Sequence, residues 1–142
     1  MRSAGSSNRW VFVDTSAFAA FYLDREQHHR EATATAAMLA RQGRDMLTTN
    51  CVAIETHAFI LSRAGRSAAR EALLEIDTAI AVVRASEADE AAGRAILDQY
   101  ADKDFSLTDA ISFAVMDRLG LRMAFAFDRH FAQYGLDVPT AE

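Results

Sequence analysis

The side chains best suited to chemistry in this 142-residue chain are carboxylates set at structural turning points. Asp14 ends the apolar run Trp10-Val-Phe-Val13, and Asp128 ends the run Met123-Ala-Phe-Ala-Phe127. Glu55 lies five residues beyond Asn50, a helix-capping type, and Asp109 lies three beyond Ser106. Each has an ordinary use open to it. Asp14 and Asp128 can cap helices, a role worth ~1 kcal/mol, and Ser106 with Asp109 has the spacing of a capping box. Glu55 and Asp109 nevertheless lack a cation at the facing helical positions. Those positions hold Cys51, Val52, Ala58 and Phe59 around the first, and Phe105, Ser106, Ser112 and Phe113 around the second. Glu55 shares a stripe with Val52 and Phe59, which predicts an acid facing inward. An inward carboxylate must take up a proton or find a positive partner. Hard divalent cations prefer oxygen ligands and supply such a partner. Two of them neutralise four carboxylates, and two ions ~4 Å apart activate water and stabilise a leaving oxygen in phosphodiester cleavage.

Elements that bring distant acids together are readable in the pattern. Trp10–Val13 is apolar, aromatic and β-branched, as a buried strand is. Weaker strands are expected at Met46–Thr48, Ala79–Val83 and Met123–Phe127, with a last short one near Leu136–Val138. Between them, helices are expected over Ala17–Leu23, His28–Arg41, Asn50–Arg63, Ser67–Asp77, Ser86–Tyr100 and Ser106–Leu119. Gly43, Gly65 and Gly120 stand where three of these stop. Strands alternating with helices, and no hairpin signal, predict a mainly parallel sheet covered on both faces, a three-layer α/β/α sandwich. Ligands bind such sheets at the carboxyl ends of the strands, where Asp14 and Asp128 fall.

Composition narrows the function. Lys and Arg total 15 against 20 Asp and Glu, for a formal charge of −5, and Lys103 is the only lysine. Net acidity excludes nucleic-acid binding by phosphate neutralisation alone but suits an acidic site whose cations are metals. A 51% hydrophobic content with one proline excludes a disordered chain. No apolar run approaches the ~20 residues of a membrane helix. Residues 1–8 are small and polar and are expected to be a disordered tail without a secretory core, leaving residues 9–142 as one domain in a cytoplasmic protein. Cys51 alone supports neither a disulfide framework nor a cysteine zinc site.

Four segments taken together resemble a known family. Val-Phe-Val-Asp14-Thr-Ser-Ala-Phe, Thr-Thr-Asn-Cys-Val-Ala-Ile-Glu55-Thr, Ser-Leu-Thr-Asp109-Ala-Ile-Ser-Phe and Ala-Phe-Ala-Phe-Asp128-Arg-His-Phe are similar to the acidic motifs of PIN-domain ribonucleases. Within that family they resemble the VapC-type toxins of bacterial toxin–antitoxin pairs. The resemblance runs from about Arg9 to Val138, and its strength lies in four weak segments in the right order and spacing. It implies a Mg²⁺- or Mn²⁺-dependent endoribonuclease with Asp14, Glu55, Asp109 and Asp128 as catalytic and metal-binding acids. Ser16 would orient the site from the first helix turn, with Asn50 and Ser112 as further supporting residues. It also implies an RNA substrate, a small VapB-like antitoxin that blocks the acidic cleft, and a homodimer; Phe18, Phe21 and Tyr22 are apolar residues that could serve the dimer, but packing of their helix stripe into the core is the default reading. Where the family often has Thr or Ser two residues before the last acid, this chain has Ala126.

Other features carry less. His28 and His29 are adjacent and point apart on a helix, so they cannot chelate together. His57 belongs to no His-Glu-x-x-His motif. His130 is placed to touch substrate near Asp128 or simply to cap and pack. Asp102 and Asp104 read as solvated loop acids, and the Phe-rich stretches at 105–113 and 125–131 as core. Two alternatives stand beside the nuclease. A phosphohydrolase using Asp14 as nucleophile would want a second Asp where Ser16 stands and a late lysine the chain lacks. A non-catalytic module with the same fold would leave four mutually repelling carboxylates without a use.

Overall fold

The run beginning at Trp10 forms β1 (Trp10–Val13), in which Val11, Phe12 and Val13 are buried. Its apolar character on both faces follows from its place: it is an inner strand of a four-stranded parallel sheet in the order β3-β2-β1-β4. The computed structural model describes residues 9–141, so the expected tail at 1–8 lies outside the described residues. After β1 come α1 (Thr15–Tyr22) and α2 (His29–Arg41), then β2 (Asp45–Thr49). Next are α3 (Asn50–Ala64), α4 (Arg66–Ala79) and β3 (Ala81–Val83), and then α5 (Glu87–Gln99), α6 (Leu107–Leu119), β4 (Ala124–Phe125) and α7 (His130–Tyr134). Phe12 is level with Leu47 on one side and Ala124 on the other, and Thr49 is level with Val83.

Connectivity dictates the layers. The chain steps outward from β1 to β2 to β3, then returns past both to place β4 on the far side of β1. Crossovers between parallel strands are right-handed, so α1–α4 cover one face and α5 and α6 the other. The helix contacts agree: α5 packs on α6, α3 on α4, and α1 on α2 and α3. This is the expected α/β/α sandwich. The strand order reverses between β1 and β4, and such a switch point opens a crevice at the strands' carboxyl ends. Phe131 anchors α7 beneath that crevice, stacked on Phe12 at 6.0 Å and edge-on to Phe113 at 4.9 Å. Burying an aromatic of this size stabilises the fold by ~2–3 kcal/mol. On the other face α5 approaches α6 closely at Gly93, where a Cβ would stand 2.9 Å from Ile111 Cγ1.

Several expectations shift, each for a physical reason. The strand expected through Phe127 ends at Phe125, because the Phe127 N–H donates to Ser16 Oγ (2.9 Å) instead of a neighbouring strand. The strand expected from Ala79 starts at Ala81, since α4 continues until the Ile80 N–H closes on the Ile76 carbonyl. The last expected strand reduces to a single bridge, Met123 to Asp137, and Pro139 has no N–H with which to extend it. Phe18 packs in the core, as the default reading of its helix stripe expects, and the half-buried Tyr22 donates its hydroxyl to Glu75 (3.0 Å). The short helix α7 lies in the stretch read only as core aromatics. Among the described residues no helix is long and apolar enough to cross a membrane.

Candidate metal centre

Asp14 leaves the carboxyl end of β1 in extended conformation and caps α1. Its Oδ2 accepts from both the N–H (3.1 Å) and the hydroxyl (2.7 Å) of Ser16. Ser16 Oγ in turn accepts the Phe127 N–H, so one hydroxyl ties the segment after β4 to the first acid. Between them, Thr15 donates its hydroxyl to Glu55 Oε1 at 2.5 Å, joining α1 to α3. Asp109 completes a capping box on α6: Ser106 Oγ accepts the Asp109 N–H, and Asp109 Oδ2 accepts the Ser106 N–H, both at 3.0 Å. The same Oδ2 meets His130 Nδ1 at 2.8 Å. Asp128 Oδ1 accepts the His130 N–H at 3.0 Å. One donor atom from each of Asp109, Asp128 and His130 lies within 4.8 Å of the others.

A single pattern runs through all four acids. In each, one carboxylate oxygen is held by protein donors. The other (Asp14 Oδ1, Glu55 Oε2, Asp109 Oδ1, Asp128 Oδ2) accepts no hydrogen bond among the described residues. All four acids line one cleft of about 590 Å³, and none of its described lining residues is Lys or Arg. The electrostatic cost falls on Asp14. Burial pushes its carboxyl well above the ordinary carboxylate range, and the charges of Asp128 and Asp109 push further, against the pull of the Ser16 hydrogen bonds. Three acids crowded without a counter-charge, each with a free oxygen, are a donor set that fits a hard divalent cation.

The PIN-domain family model matches residues 11–136, nearly the whole described chain. The chain belongs to the PIN-domain family. It is 32% identical over 126 residues to the 23S rRNA-specific endonuclease VapC20 of Mycobacterium tuberculosis, in two strains, covering 88% of this chain and 94% of that protein. The crystal structure of M. tuberculosis VapC20, described as a sarcin-ricin loop cleaving toxin, superposes with a TM-score of 0.84 at 29% identity. That match covers 92% of this chain and 99% of the other.

The remaining candidates of this PIN domain fall on both sides of the cleft wall. Ser16 lines it, whereas Asn50 does not: its Oδ1 accepts the Ala85 N–H (2.9 Å), tying α3 to the segment after β3. The cap of α3 is Thr49, whose hydroxyl accepts the Val52 N–H. Asn50 and His57 instead line a separate cavity of about 330 Å³. Ser112 is buried one turn beyond Asp109 and donates to the Thr108 carbonyl, away from the cleft. Glu55 is exposed at the rim rather than inward, because α3 buries Val52, Ala53, Thr56 and Ile60 and turns its flank to the cleft. Asp102 pairs with Lys103 at the surface. Sequence did not single out Thr15, and it did not give the contacts of His28 and His130, both of which it had weighed for other roles. Thr15 reaches Glu55, the ring of His130 reaches Asp109, and His28 stacks on Phe127 with centroids 4.8 Å apart. The signal for the first two was adjacency, since they lie one and two residues beyond an acid.

Proposed function

We propose that this PIN domain is a metal-dependent endoribonuclease and the toxin of a toxin–antitoxin pair. The observation that carries the reading is the cleft itself, in which, among the described residues, four carboxylates each keep one oxygen free and no Lys or Arg lines the site. Mg²⁺ or Mn²⁺ would be held by Asp14, Asp109 and Asp128, with Glu55 at the rim. The chemistry such cations supply is Lewis-acidic: a lowered pKa for an attacking water and neutralisation of charge on the scissile phosphate. The protein's share is positional. Ser16 fixes the rotamer of Asp14 and the path of the chain into Asp128, and Thr15 sets the reach of Glu55 across the cleft. Phe127 and His28 form a flat rim beside the acids, suited to a nucleobase.

VapC20 acts on 23S rRNA by name, so ribosomal RNA is the first substrate to offer beside a generic single strand. A VapB-like antitoxin would close the cleft with an Arg or Lys of its own, because none lines it among the described residues. A homodimer belongs to the same reading, and sedimentation of the free protein tests it. The decisive experiment incubates purified protein with RNA and Mn²⁺ or Mg²⁺. Wild type cuts, while Asp14→Asn and Asp109→Asn do not, although both melt cooperatively. Cleavage that survives in both variants removes the site assignment.

A further inference from the structure

Nothing in the acidic motifs assigns a task to His130, yet its position is among the most constrained in the cleft. Phe131 pins α7 into the core, and the His130 ring lies edge-on to Phe105 at 5.6 Å. From there the residue serves two acids at once. Its backbone N–H donates to Asp128 Oδ1 (3.0 Å), and its ring Nδ1 meets Asp109 Oδ2 (2.8 Å). That oxygen already accepts the Ser106 N–H, so two donors converge on Oδ2 and leave Oδ1 of the same carboxylate without a partner among the described residues. With a donor on either side, the carboxylate cannot rotate without breaking one of the two bonds. We propose that His130 is a positioning residue: its Nδ1–H locks Asp109 so that Oδ1 alone is presented to the cation site.

The inference rests on the metal-nuclease reading for its consequence, but the hydrogen bond itself does not. A ring nitrogen already committed to a carboxylate acts as an outer partner of that ligand, and loss of such partners costs 10–100-fold in metal affinity or activity. The geometry also makes a distinction between roles. Asn places an amide N–H where His places Nδ1–H, but offers nothing at the position of Nε2. A positioning role therefore survives His130→Asn, whereas a role as metal ligand or proton carrier through Nε2 does not.

Two measurements test it. In metal-free protein at a pH where the ring is neutral, long-range ¹H–¹⁵N NMR should find the proton of His130 on Nδ1. The opposite tautomer overturns the proposal whatever the protein does with metals. By titration calorimetry, Mn²⁺ should bind His130→Ala 10–100-fold more weakly than wild type, and His130→Asn within about threefold of it. Rates of RNA cleavage at saturating Mn²⁺ should follow the same order. Equal affinity in the Ala variant, or an Asn variant as weak as Ala, refutes the positioning role. If wild type binds no divalent cation, the nuclease reading fails, and the tautomer still decides whether the lock on Asp109 exists.

Discussion

An acid kept in place by function rather than stability should stabilise the metal-free protein when its charge is removed, and Asp128→Asn is the cleanest case. The substitution keeps the atom that accepts the His130 N–H, since an Asn carbonyl oxygen makes the same local turn as an Asp carboxylate. What it deletes is repulsion. Asp128 and Asp109 place ligand oxygens within 4.8 Å of each other. Two unit charges at that separation repel by ~0.9 kcal/mol at the dielectric of water and ~3.5 kcal/mol at an effective dielectric of 20. Asp109 is buried and Asp128 half-buried, so a gain of ~1–2 kcal/mol is expected, with a further contribution from relief of Asp14. For a domain of this length ~1 kcal/mol moves the melting temperature by about 3–4 °C, giving a rise of about 3–8 °C in the presence of a chelator. Wild type in Mn²⁺ at 100 times its dissociation constant should gain ~2.7 kcal/mol by mass action, and the variant most of that less. Differential scanning calorimetry with and without Mn²⁺ reads both. A metal-free variant that melts lower than wild type, with its Mn²⁺ shift intact, would show that Asp128 is an ordinary turn acid and that no strained cluster exists.

Other outcomes follow from the same arrangement of side chains. Asp14 carries a folded pKa raised by burial and by Asp128. Between the unfolded value and the raised folded one the native state binds more protons than the unfolded chain, so this group's contribution to metal-free stability should grow as pH falls through the folded pKa, an arm that Asp14→Asn abolishes in pH-dependent melting curves. Asp89 has the opposite sign. Arg118 grips both its oxygens (2.8 and 2.9 Å) and holds its carboxyl at about 2. That stabilisation is complete above the unfolded value near 4 and is lost as pH falls towards 2. Because Arg118 is half exposed, Asp89→Asn should cost no more than ~1–2 kcal/mol at pH 7, and an unchanged acid limb would refute the assignment. Gly93→Ala should destabilise by ~1–3 kcal/mol despite the better helix former, because the new methyl meets Ile111 backbone atoms at 3.1 and 3.2 Å. A higher melting temperature in that variant would mean that α5 and α6 slide apart freely.

How much of this was legible in sequence depends on which physical scale set each feature. The strands and the parallel sheet follow from local patterning, and β1 was readable to the residue because its apolar run is bounded by Asp14. The ends of β3 and β4 were not, because distant partners decide them: Ser16 takes the Phe127 N–H 111 positions along the chain. Asn50 and Thr49 are both capping residue types, with Asn the stronger of the two. The choice fell to Thr49 because the Ala85 N–H, 35 residues away, needed Asn50.

The acids themselves show why a capping role and a metal role need not be weighed against each other. Asp14 does cap α1, Asp109 does close a capping box, and Asp128 does hold the first turn of α7. A carboxylate has two oxygens, and a backbone donor satisfies only one. Capping therefore does not compete with binding a cation; it immobilises the carboxylate and aims the second oxygen. Strand ends at a switch point give helix starts that need caps, and Asp fills that need while adding a charge that Ser or Asn would not. The structural demand and the chemical one select the same residue type at the same place. What separates them is company: one capped helix start tolerates its negative charge in water, whereas three facing a cleft without Lys or Arg among the described residues repel one another, which adds to the burial that already raises the Asp14 pKa.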